Sequence, residues 1–284
     1  MTSQKIWLIT GTSTGIGKEL CLAALKRGDR VIATARSVDK IDAALQEKGA
    51  DVLQLDVTDT PENLKRIAAN AIAIHGRVDV LVNNAGYISF GPIEEETPEA
   101  TFKQYNTNVF GPLNVTRAFL PSMRSRRSGT IIFMGSKGGW TGMQGCGLYC
   151  GSKFAIRASA ESLSHELAPL GLKVYCVEPG SCRTAILSSK NRAELESSIP
   201  DYKHVMDAHR EQLLRGNGKQ PGDPVKLSEV IVDLVKDEGV TKGRELPTVA
   251  LPLGKDAWGL VNGVVGQMGK TLEEWKDVIE STNF

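Results

Sequence analysis

The sequence predicts an α/β fold in which one doubly wound domain carries a central parallel sheet flanked by helices. Two observations lead to this prediction. Short apolar runs rich in β-branched residues alternate with longer stretches of helical periodicity along most of the chain. These runs are apolar at consecutive positions, which is typical of parallel strands that are buried on both faces.

Six strands and four long helical segments are predicted. The strands are expected at residues 5–10, 30–35, 51–56, 77–86, 129–136 and 172–180. The helices are expected at residues 15–28, 61–76, 98–126 and 148–171. Pro61 at the start and Gly76 at the end of the second helix are the residues favoured at those positions. No repeat or linker divides the chain, so we expect a single domain over residues 1–284.

Two segments depart from the alternation. Residues 184–224 are polar and irregular, and within them we expect residues 185–222 to form a mobile substrate lid. Residues 251–284 form a C-terminal tail with apolar side chains at helical spacing from Trp258 to Ile279. The favoured interpretation of the tail is a pair of helices packed on the core. A lid, a dimer contact and a helix on a membrane surface remain as alternatives.

Charge and cysteine content argue against several classes of protein. The 34 basic and 33 acidic residues nearly cancel, so nothing indicates a nucleic-acid partner. No apolar stretch is long enough to span a bilayer, and the first residues lack the anatomy of a signal peptide. The five cysteines include no Cys-x-x-Cys pair, and an odd number without an export signal is typical of reduced thiols. We therefore expect a cytoplasmic protein.

A glycine-rich loop joins the first predicted strand to the first predicted helix. It reads TGTSTGIG, with Gly11, Gly15 and Gly17 at the spacing Gly-x3-Gly-x-Gly. Glycine lets the backbone turn tightly and approach a phosphate, and a helix N-terminus presents free N–H groups to an anion. The loop therefore indicates a dinucleotide site, and a tight turn without a ligand is the alternative.

The pair Tyr149 and Lys153 indicates acid–base chemistry. Residues four apart share one face of a helix, so this spacing sets a phenol beside an ammonium group. Such a charge favours the phenolate and is expected to lower the pKa of Tyr149 from its usual value of about 10. The pair alone is a weak motif, because a solvated helix face would read the same way.

Six motifs in one order along the chain together resemble the short-chain dehydrogenase/reductase family. They are TGTSTGIG at 10–17, NNAG at 83–86, NVFG at 108–111, Ser136, Tyr149-x-x-x-Lys153 and EPGSCRT at 178–184. The resemblance extends over about residues 5–250, with the family's ordinary length. It implies a Rossmann-type domain that interconverts a carbonyl and a secondary alcohol.

The resemblance implies a role for each matching residue. Tyr149 would be the general acid in reduction and the general base in oxidation, and Ser136 would bond the substrate oxygen. Asn108 would bind a water through which Lys153 relays protons. The catalytic residues would be Asn108, Ser136, Tyr149 and Lys153, and the substrate-binding residues Ser136, Trp140, Met143 and Tyr149. The cofactor-binding residues would be Gly11, Ser13, Gly15, Ile16, Gly17, Arg36, Asp56, Asn83, Ala85, Gly86, Tyr149, Lys153, Pro179, Gly180 and Thr184. One departure is Gly135, where many relatives carry a serine.

The segment ATARS at the end of the second predicted strand indicates NADP(H) rather than NAD(H). Enzymes that use NAD commonly place a carboxylate here to bind the ribose 2′-hydroxyl. This chain has Ala35 at that position, followed by Arg36, whose guanidinium suits a phosphate dianion. Ser13 and Ser37 would add neutral hydrogen bonds.

We therefore expect an NADP(H)-dependent oxidoreductase acting on an apolar, ring-bearing small molecule. The substrate would be bordered by Tyr87, Trp140, Met143 and Leu187. An NAD-dependent alcohol dehydrogenase of the same fold is the first alternative, and a cofactor-binding regulator without catalysis is the second. A homo-oligomer, dimer or tetramer, fits the family.

Other catalytic groups are disfavoured by the sequence. Cys146 and Cys150 flank Tyr149, but nothing nearby lowers a thiol pKa beyond Lys153 itself. The four histidines have no metal-ligand spacing with cysteines or carboxylates, so no metal site is expected.

Overall fold

A computed structural model describes residues 4–187, 192–194, 197–244 and 250–284. Within these ranges the strands are β1 (Ile6–Thr10), β2 (Arg30–Ala35), β3 (Asp51–Gln54), β4 (Val80–Asn83), β5 (Ile88–Phe90), β6 (Gly129–Met134), β7 (Leu172–Pro179), β8 (Arg192–Glu194) and β9 (Ala250–Leu253). Seven of them form one parallel sheet in the order β3-β2-β1-β4-β6-β7-β9. β5 and β8 pair apart from it.

The helices lie on both faces of this sheet. Within the described ranges they are α1 (Gly15–Lys26), α2 (Ala43–Glu47), α3 (Pro61–His75), α4 (Pro98–Tyr105), α5 (Gly111–Arg126), α6 (Gly147–Leu167), α7 (Pro200–Gly216), α8 (Pro224–Lys236), α9 (Lys255–Glu274) and α10 (Lys276–Glu280). α3, α5 and α6 pack on one face through side chains such as Leu64, Phe119 and Ile156. α1 and α8 pack on the other through Leu20 and Ile231. The predicted doubly wound α/β fold is confirmed.

The segment predicted as one helix over residues 98–126 is divided in the structure. α4 ends at Tyr105, residues Asn106–Phe110 form a π-helical turn, and α5 begins at Gly111. Pro112 has no N–H to donate to the carbonyl of Asn108, so the regular helical ladder cannot continue through this point. A π turn changes which side chains face inward, and Asn108 and Val109 are buried here.

α8 and β9 were not predicted. β9 has only four residues and contains Pro252, which argues against a strand in a sequence pattern. Proline is tolerated here because β9 lies at the edge of the sheet and pairs only with β7. α8 packs along α1 and completes the second helical layer.

The expectation that residues 184–224 are irregular was wrong for the part that forms α7, a helix of 17 residues. α7 presents a narrow apolar stripe, with Met206 buried and Tyr202 and Leu213 half-buried against the same cluster. Most of the other residues of the helix are polar, with Leu214 as an exposed apolar exception, so its composition resembles that of a loop. Residues 188–191 and 195–196 of the predicted lid lie outside the described residues.

The tail is helical as predicted, but its predicted packing on the core was wrong. Ala257 in the first turn of α9 is fully buried, whereas Trp258 is 68% exposed and Trp275 57% exposed. Every residue from Val265 to Phe284 is exposed. An amphipathic stripe produces packing only where an apolar surface faces it, and the described part of this chain offers none to the tail. No helix among the described residues is long and apolar enough to cross a membrane.

A buried ion pair joins α8 to the edge of the sheet where the strands begin, and it provides a test of the fold. Lys236 Nζ donates to Asp29 Oδ1 at 2.9 Å, and Trp7 Nε1 donates to Asp29 Oδ2 at 3.0 Å. We expect Asp29→Ala to lower the free energy of unfolding by about 3–5 kcal/mol, because it leaves the Lys236 charge buried without its partner. Denaturant unfolding measures the loss. The exposed Asp39→Ala variant is the control and should change stability by at most about 0.5 kcal/mol; equal losses in both variants would contradict this account.

Candidate active site

The candidate site lies at the carboxyl edge of the sheet, between β1 and β4. The strand order reverses here, because β1 is followed in sequence by β2 on one side and borders β4 on the other. Crevices at such positions are the usual ligand sites of open parallel sheets. The hydroxyl of Thr10, at the end of β1, accepts hydrogen bonds from the backbone N–H groups of Asn84 and Ala85 at 2.9 and 3.0 Å. The ends of the two strands are therefore held together.

The glycine loop forms the floor of this crevice, and its conformation requires glycine. Gly11 and Gly15 have φ values of +70° and +62°, which side chains rarely adopt. A Cβ on Gly11 would lie 2.8 Å from the Cα of Ala85, and one on Gly17 would lie 2.4 Å from the carbonyl oxygen of Gly11. These close approaches keep the loop flat against β4 and against the first turn of α1.

The N-terminus of α1 has free N–H groups that point to an anion site. Thr14 occupies the N-cap position, but its side chain accepts no hydrogen bond from the helix, and no acidic residue lies in the first turn. The first N–H groups of a helix need an acceptor, and a phosphate supplies one. The glycine cradle and this uncapped end fit the pyrophosphate of a dinucleotide.

A cleft of about 370 Å³ opens above the loop. The predicted cofactor residues that line it are Gly11, Ser13, Gly15, Ile16, Arg36, Asp56, Ala85, Gly86 and Thr184. It is also lined by residues that the sequence reasoning did not assign to the cofactor, namely Thr14, Ala35, Leu55, Val57, Thr58, Asn84, Tyr87, Lys103, Thr107, Ala185, Ile186 and Ala193. Most of these neighbour a predicted residue in sequence, whereas Lys103 in α4 carried no sequence signal.

Asn83 does not line the cleft in the protein alone, and its assignment to the cofactor stays a prediction. Its amide donates to Thr116 Oγ1 on α5 at 3.0 Å, and the residue is buried. The neighbouring Asn84 lines the cleft instead, with its amide donating to the carbonyl oxygens of Thr10 and Gly11 at 2.8 and 3.0 Å. Asn83 therefore ties the sheet to α5, and Asn84 holds the glycine loop.

The two residues at the end of β2, Ala35 and Arg36, both lie at the cleft. Ala35 is buried in the cleft wall, and Arg36 is exposed at the cleft. Among the described residues, no hydrogen bond or ion pair engages the Arg36 guanidinium. Asp56 lines the cleft nearby, where its Oδ1 accepts from the N–H and hydroxyl of Thr58 at 2.9 and 2.7 Å.

Pro179 and Gly180 do not line the cleft in the protein alone, and their assignment to the cofactor stays a prediction. Pro179 is buried at the end of β7, and a Cβ on Gly180 would collide with the carboxylate of Asp256 in α9. Thr184 reaches the cleft from the same segment, because its Cβ lies 3.3 Å from the position of a Cβ on Gly15.

Ser136, Tyr149 and Lys153 come together at the ends of β6 and α6. Tyr149 is 8% exposed, and the Ser136 side chain lies near enough to its phenol to act on the Tyr149 pKa, which it lowers. The Ser136 oxygen also accepts from the N–H of Gly138 at 3.0 Å. Lys153 Nζ lies 5.7 Å from the centre of the Tyr149 ring and donates to the carbonyl oxygen of Met134 at 2.7 Å. Its Nζ is 4.0 Å from a Cβ position on Gly86, so the ammonium group borders the cleft.

Burial dominates the ionisation of this pair. It raises the pKa of Tyr149 to about 12, and the Ser136 side chain only partly opposes it. Burial lowers the pKa of Lys153 to about 8, opposed by Cys176 and Glu178. The expected lowering of the Tyr149 pKa combines Lys153 with a positive nicotinamide ring, so it stays a prediction for the complex with cofactor.

Asn108 is fixed by the π-helical turn. Its Nδ2 donates to the carbonyl oxygen of Tyr87 and to Ser152 Oγ, both at 3.1 Å, and its Oδ1 accepts from the N–H of Tyr87 at 3.2 Å. Asn108 therefore braces the strand end beside Gly86 against α6. The expected role in a water relay stays a prediction.

The two residues predicted to bind substrate after Ser136 point in different directions. Met143 packs against Phe90, Tyr149 and Met206, in an apolar cluster beside the tyrosine hydroxyl. The indole N–H of Trp140 donates to the buried carboxylate of Glu178 at 2.5 Å, and the substrate contact expected of this residue stays a prediction. Tyr87 lines the cleft, and the side chain of Leu187 lies outside the described part of the chain.

Comparisons with known proteins agree with this geometry. The family described as short chain dehydrogenase matches residues 5–195. Oxidoreductase BOA17 from Botryotinia fuckeliana (strain B05.10) is 30% identical over 277 residues, which cover 96% of this chain and 97% of that protein.

Two solved structures are similar over nearly the whole chain. A short-chain dehydrogenase from Streptomyces avermitilis is 38% identical with a TM-score of 0.86, covering 99% of this chain and 100% of that chain. A variant of actinorhodin polyketide ketoreductase, solved with NADPH, is 27% identical with a TM-score of 0.75, covering 92% of this chain and 100% of that chain. With the sequence match over residues 5–195, these similarities show that the chain belongs to the short-chain dehydrogenase family of oxidoreductases.

Proposed function

We propose that the protein is an NADP(H)-dependent oxidoreductase that interconverts a carbonyl and a secondary alcohol, with Tyr149 as the general acid and base. The observation that carries this proposal is the meeting of Ser136, the buried Tyr149 and Lys153, with Lys153 Nζ 5.7 Å from the centre of the Tyr149 ring and at the border of the cleft. A phenol, a hydroxyl and an ammonium group converge at one point, as proton transfer to a reduced carbonyl requires.

In reduction, the Tyr149 hydroxyl donates its proton to the substrate oxygen as negative charge grows there. The Ser136 hydroxyl donates a second hydrogen bond to the same oxygen, which stabilises the charge in a water-poor site. NADP(H), when bound, supplies or accepts the hydride. In oxidation the same phenol takes the proton, so its pKa must be lower in the complex than in the protein alone.

Lys153 supports this chemistry by its charge and by its position. An ammonium group near the phenol stabilises the phenolate by electrostatic attraction. The amine is positioned between the carbonyl of Met134 and Gly86 at the cleft, where it would also reach the ribose of a bound cofactor. A positive nicotinamide ring would add to the stabilisation of the phenolate.

The apolar cluster beside Tyr149 supports an apolar substrate with at least one ring. The cluster contains Phe90, Cys146, Cys150 and Met206, with Met143, Tyr202 and Leu213 at its margin. Apolar surfaces of this kind bind by area and shape rather than by charge. α7 supplies part of the cluster, which supports a substrate lid that includes this helix.

Two alternatives are separable by experiment. An NAD-dependent alcohol dehydrogenase would keep the same tetrad and bind NAD(H) more tightly. A cofactor-binding regulator would bind the dinucleotide without turnover, which the intact set of Asn108, Ser136, Tyr149 and Lys153 disfavours. A panel of cyclic and aromatic ketones, followed by NADPH absorbance, tests the proposed function directly; absence of turnover with every member would favour the regulator.

We expect Tyr149→Phe to lower kcat by about 10²- to 10⁴-fold while NADPH affinity stays close to that of the wild type, because only the transferable proton is removed. Steady-state kinetics and a fluorescence titration of NADPH measure the two quantities. Tyr175→Phe is the matched control, since Tyr175 is also buried but faces the opposite core. A Tyr149→Phe enzyme that kept most of its kcat would overturn the assignment of the general acid.

We expect the wild type to bind NADPH about ten- to a hundredfold more tightly than NADH, the worth of one charge-assisted contact of about 1.5–3 kcal/mol from Arg36. Ala35→Asp should reverse this preference, because a carboxylate repels the 2′-phosphate and accepts from the ribose hydroxyl. Kd values for both cofactors measure it. Arg30→Ala, at the other end of β2, is the control. Equal or tighter NADH binding by the wild type would contradict the cofactor assignment.

A further inference from the structure

Asp256, in the first turn of α9, binds two segments of the candidate site at once. Its Oδ2 accepts hydrogen bonds from Lys137 Nζ and from the backbone N–H of Ser181, both at 2.8 Å. Lys137 Nζ also donates to Ser181 Oγ at 2.9 Å. The three residues follow the carboxyl ends of three adjacent strands, β6, β7 and β9. The tail, which the proposed function does not use, therefore reaches the edge of the site.

Lys137 directly follows Ser136, whose hydroxyl would bind the substrate oxygen. The Ser136 Oγ accepts from the N–H of Gly138 at 3.0 Å, and the Ser136 carbonyl oxygen accepts from the N–H of Gly139 at 2.8 Å. The serine is thus held in a short turn that begins at Lys137. Because one end of this turn is Lys137, a contact that fixes the lysine also fixes the position of the serine.

Ser181 opens the segment that leads to Thr184 at the cleft. The Ser181 carbonyl oxygen accepts from the N–H of Gly222 at 3.0 Å, and the Gly222 carbonyl oxygen accepts from the N–H of Arg183 at 2.9 Å. The N–H of Thr184 donates to the carbonyl oxygen of Cys182 at 2.9 Å. These bonds make the segment compact, so a contact at Ser181 also fixes the place where Thr184 meets the cleft.

Regular strand pairing ends before these two segments. β6 and β7 pair in register up to Met134 and Val177. β7 and β9 pair up to Pro179 and Leu253. The bonds to Asp256 lie just beyond these points, so side chains continue the connection between the strand ends where the backbone ladder stops.

The ion pair is sheltered enough to hold its geometry. The side chains of Lys137 and Asp256 are 22% and 25% exposed. Exposed ion pairs contribute little, but this carboxylate oxygen also accepts a charge-assisted hydrogen bond from a backbone N–H. Gly180 makes the close approach possible, because a Cβ there would collide with the Asp256 carboxylate.

We propose that Asp256 is a positioning residue, whose carboxylate fixes the Ser136 turn relative to the segment of Thr184 through Lys137 and Ser181. Under the proposed function, the substrate oxygen is bound at Ser136 and the cofactor lies beside Thr184. The spacing between these segments then governs the approach of the hydride donor to the carbonyl carbon. This consequence rests on the proposed function, whereas the contacts of Asp256 do not.

Loss of the Asp256 charge should change the rate more than it changes binding. The cofactor contacts proposed for the glycine loop and for Arg36 do not involve α9, so the Kd of NADPH should change little. The apolar cluster beside Tyr149 contains no residue of α9, so the KM of an apolar substrate should also change little. The relative placement of the two reactants is what should change, and it appears in kcat.

The test is Asp256→Asn, which keeps the shape of the side chain and removes the charge that binds Lys137. We expect kcat to fall by about ten- to a hundredfold with KM and the Kd of NADPH little changed, since a misplacement of about 1 Å can cost about a hundredfold. Lys137→Met should have the same effect. The double variant should lose no more than either single variant, because both changes remove one contact. Lys137→Arg keeps a donor and should retain more of kcat than Lys137→Met.

Hydrogen exchange followed by mass spectrometry supplies a measurement that needs no substrate. Asp256→Asn should speed exchange in peptides that cover residues 135–141 and 180–185, because both segments lose a shared contact, and it should leave β1 and β4 unchanged. Asp277→Asn, an exposed carboxylate in α10, is the matched control and should change neither exchange nor kcat. Lys137→Met serves in both measurements if Asp256→Asn does not fold.

Unchanged exchange in both segments of the folded variant overturns the proposal. So does faster exchange with an unchanged kcat in an enzyme that turns over, and so do additive losses of kcat in the double variant. Faster exchange in these two segments of a protein that turns over no substrate supports the contacts assigned to Asp256, and in that case only the proposed function fails.

Discussion

Burial of both faces of the parallel sheet is the constraint on which the rest of this structure depends. Because α3, α5 and α6 cover one face and α1 and α8 the other, backbone groups without partners gather where the strands end. The reversal of strand order beside β1 then opens a crevice at that edge. At this crevice backbone segments approach one another closely. The glycine loop permits that approach because it has no side chains in the way, and the Thr10 hydroxyl links the ends of β1 and β4.

The same burial sets the chemistry of the site. Tyr149 and Lys153 lie where water is largely excluded, so each has a pKa that disfavours its charged form. A positive charge brought beside the pair would lower the pKa of both groups at once. The pair is held from outside α6 by Met134, whose carbonyl oxygen accepts from Lys153, and by Asn108, which binds Ser152 in the turn of α6 that carries Tyr149.

The motifs predicted which segments meet, and they predicted less well which side chains face the cleft. The glycine loop was expected where backbone approaches backbone, and its close contacts require glycine. A motif cannot distinguish Asn83 from Asn84, because adjacent residues at a strand end face opposite sides, and of the two Asn84 lines the cleft. The bond between the Trp140 indole and Glu178 could not be predicted, because only tertiary structure brings the two residues together. α7 was not predicted because its apolar stripe is narrow. β9 was not predicted because it is short and contains a proline.

The cysteines of this chain are distributed over its separate layers. Cys21 lies on the buried face of α1, Cys176 lies on β7 in the core under α6, and Cys146 and Cys150 lie beside the tyrosine; all four are buried thiols. Burial raises the pKa of each of Cys21, Cys150 and Cys176, so these groups are poor nucleophiles while the fold is closed. Their rates of alkylation therefore report how often each layer opens, and the native protein carries its own set of probes for local unfolding.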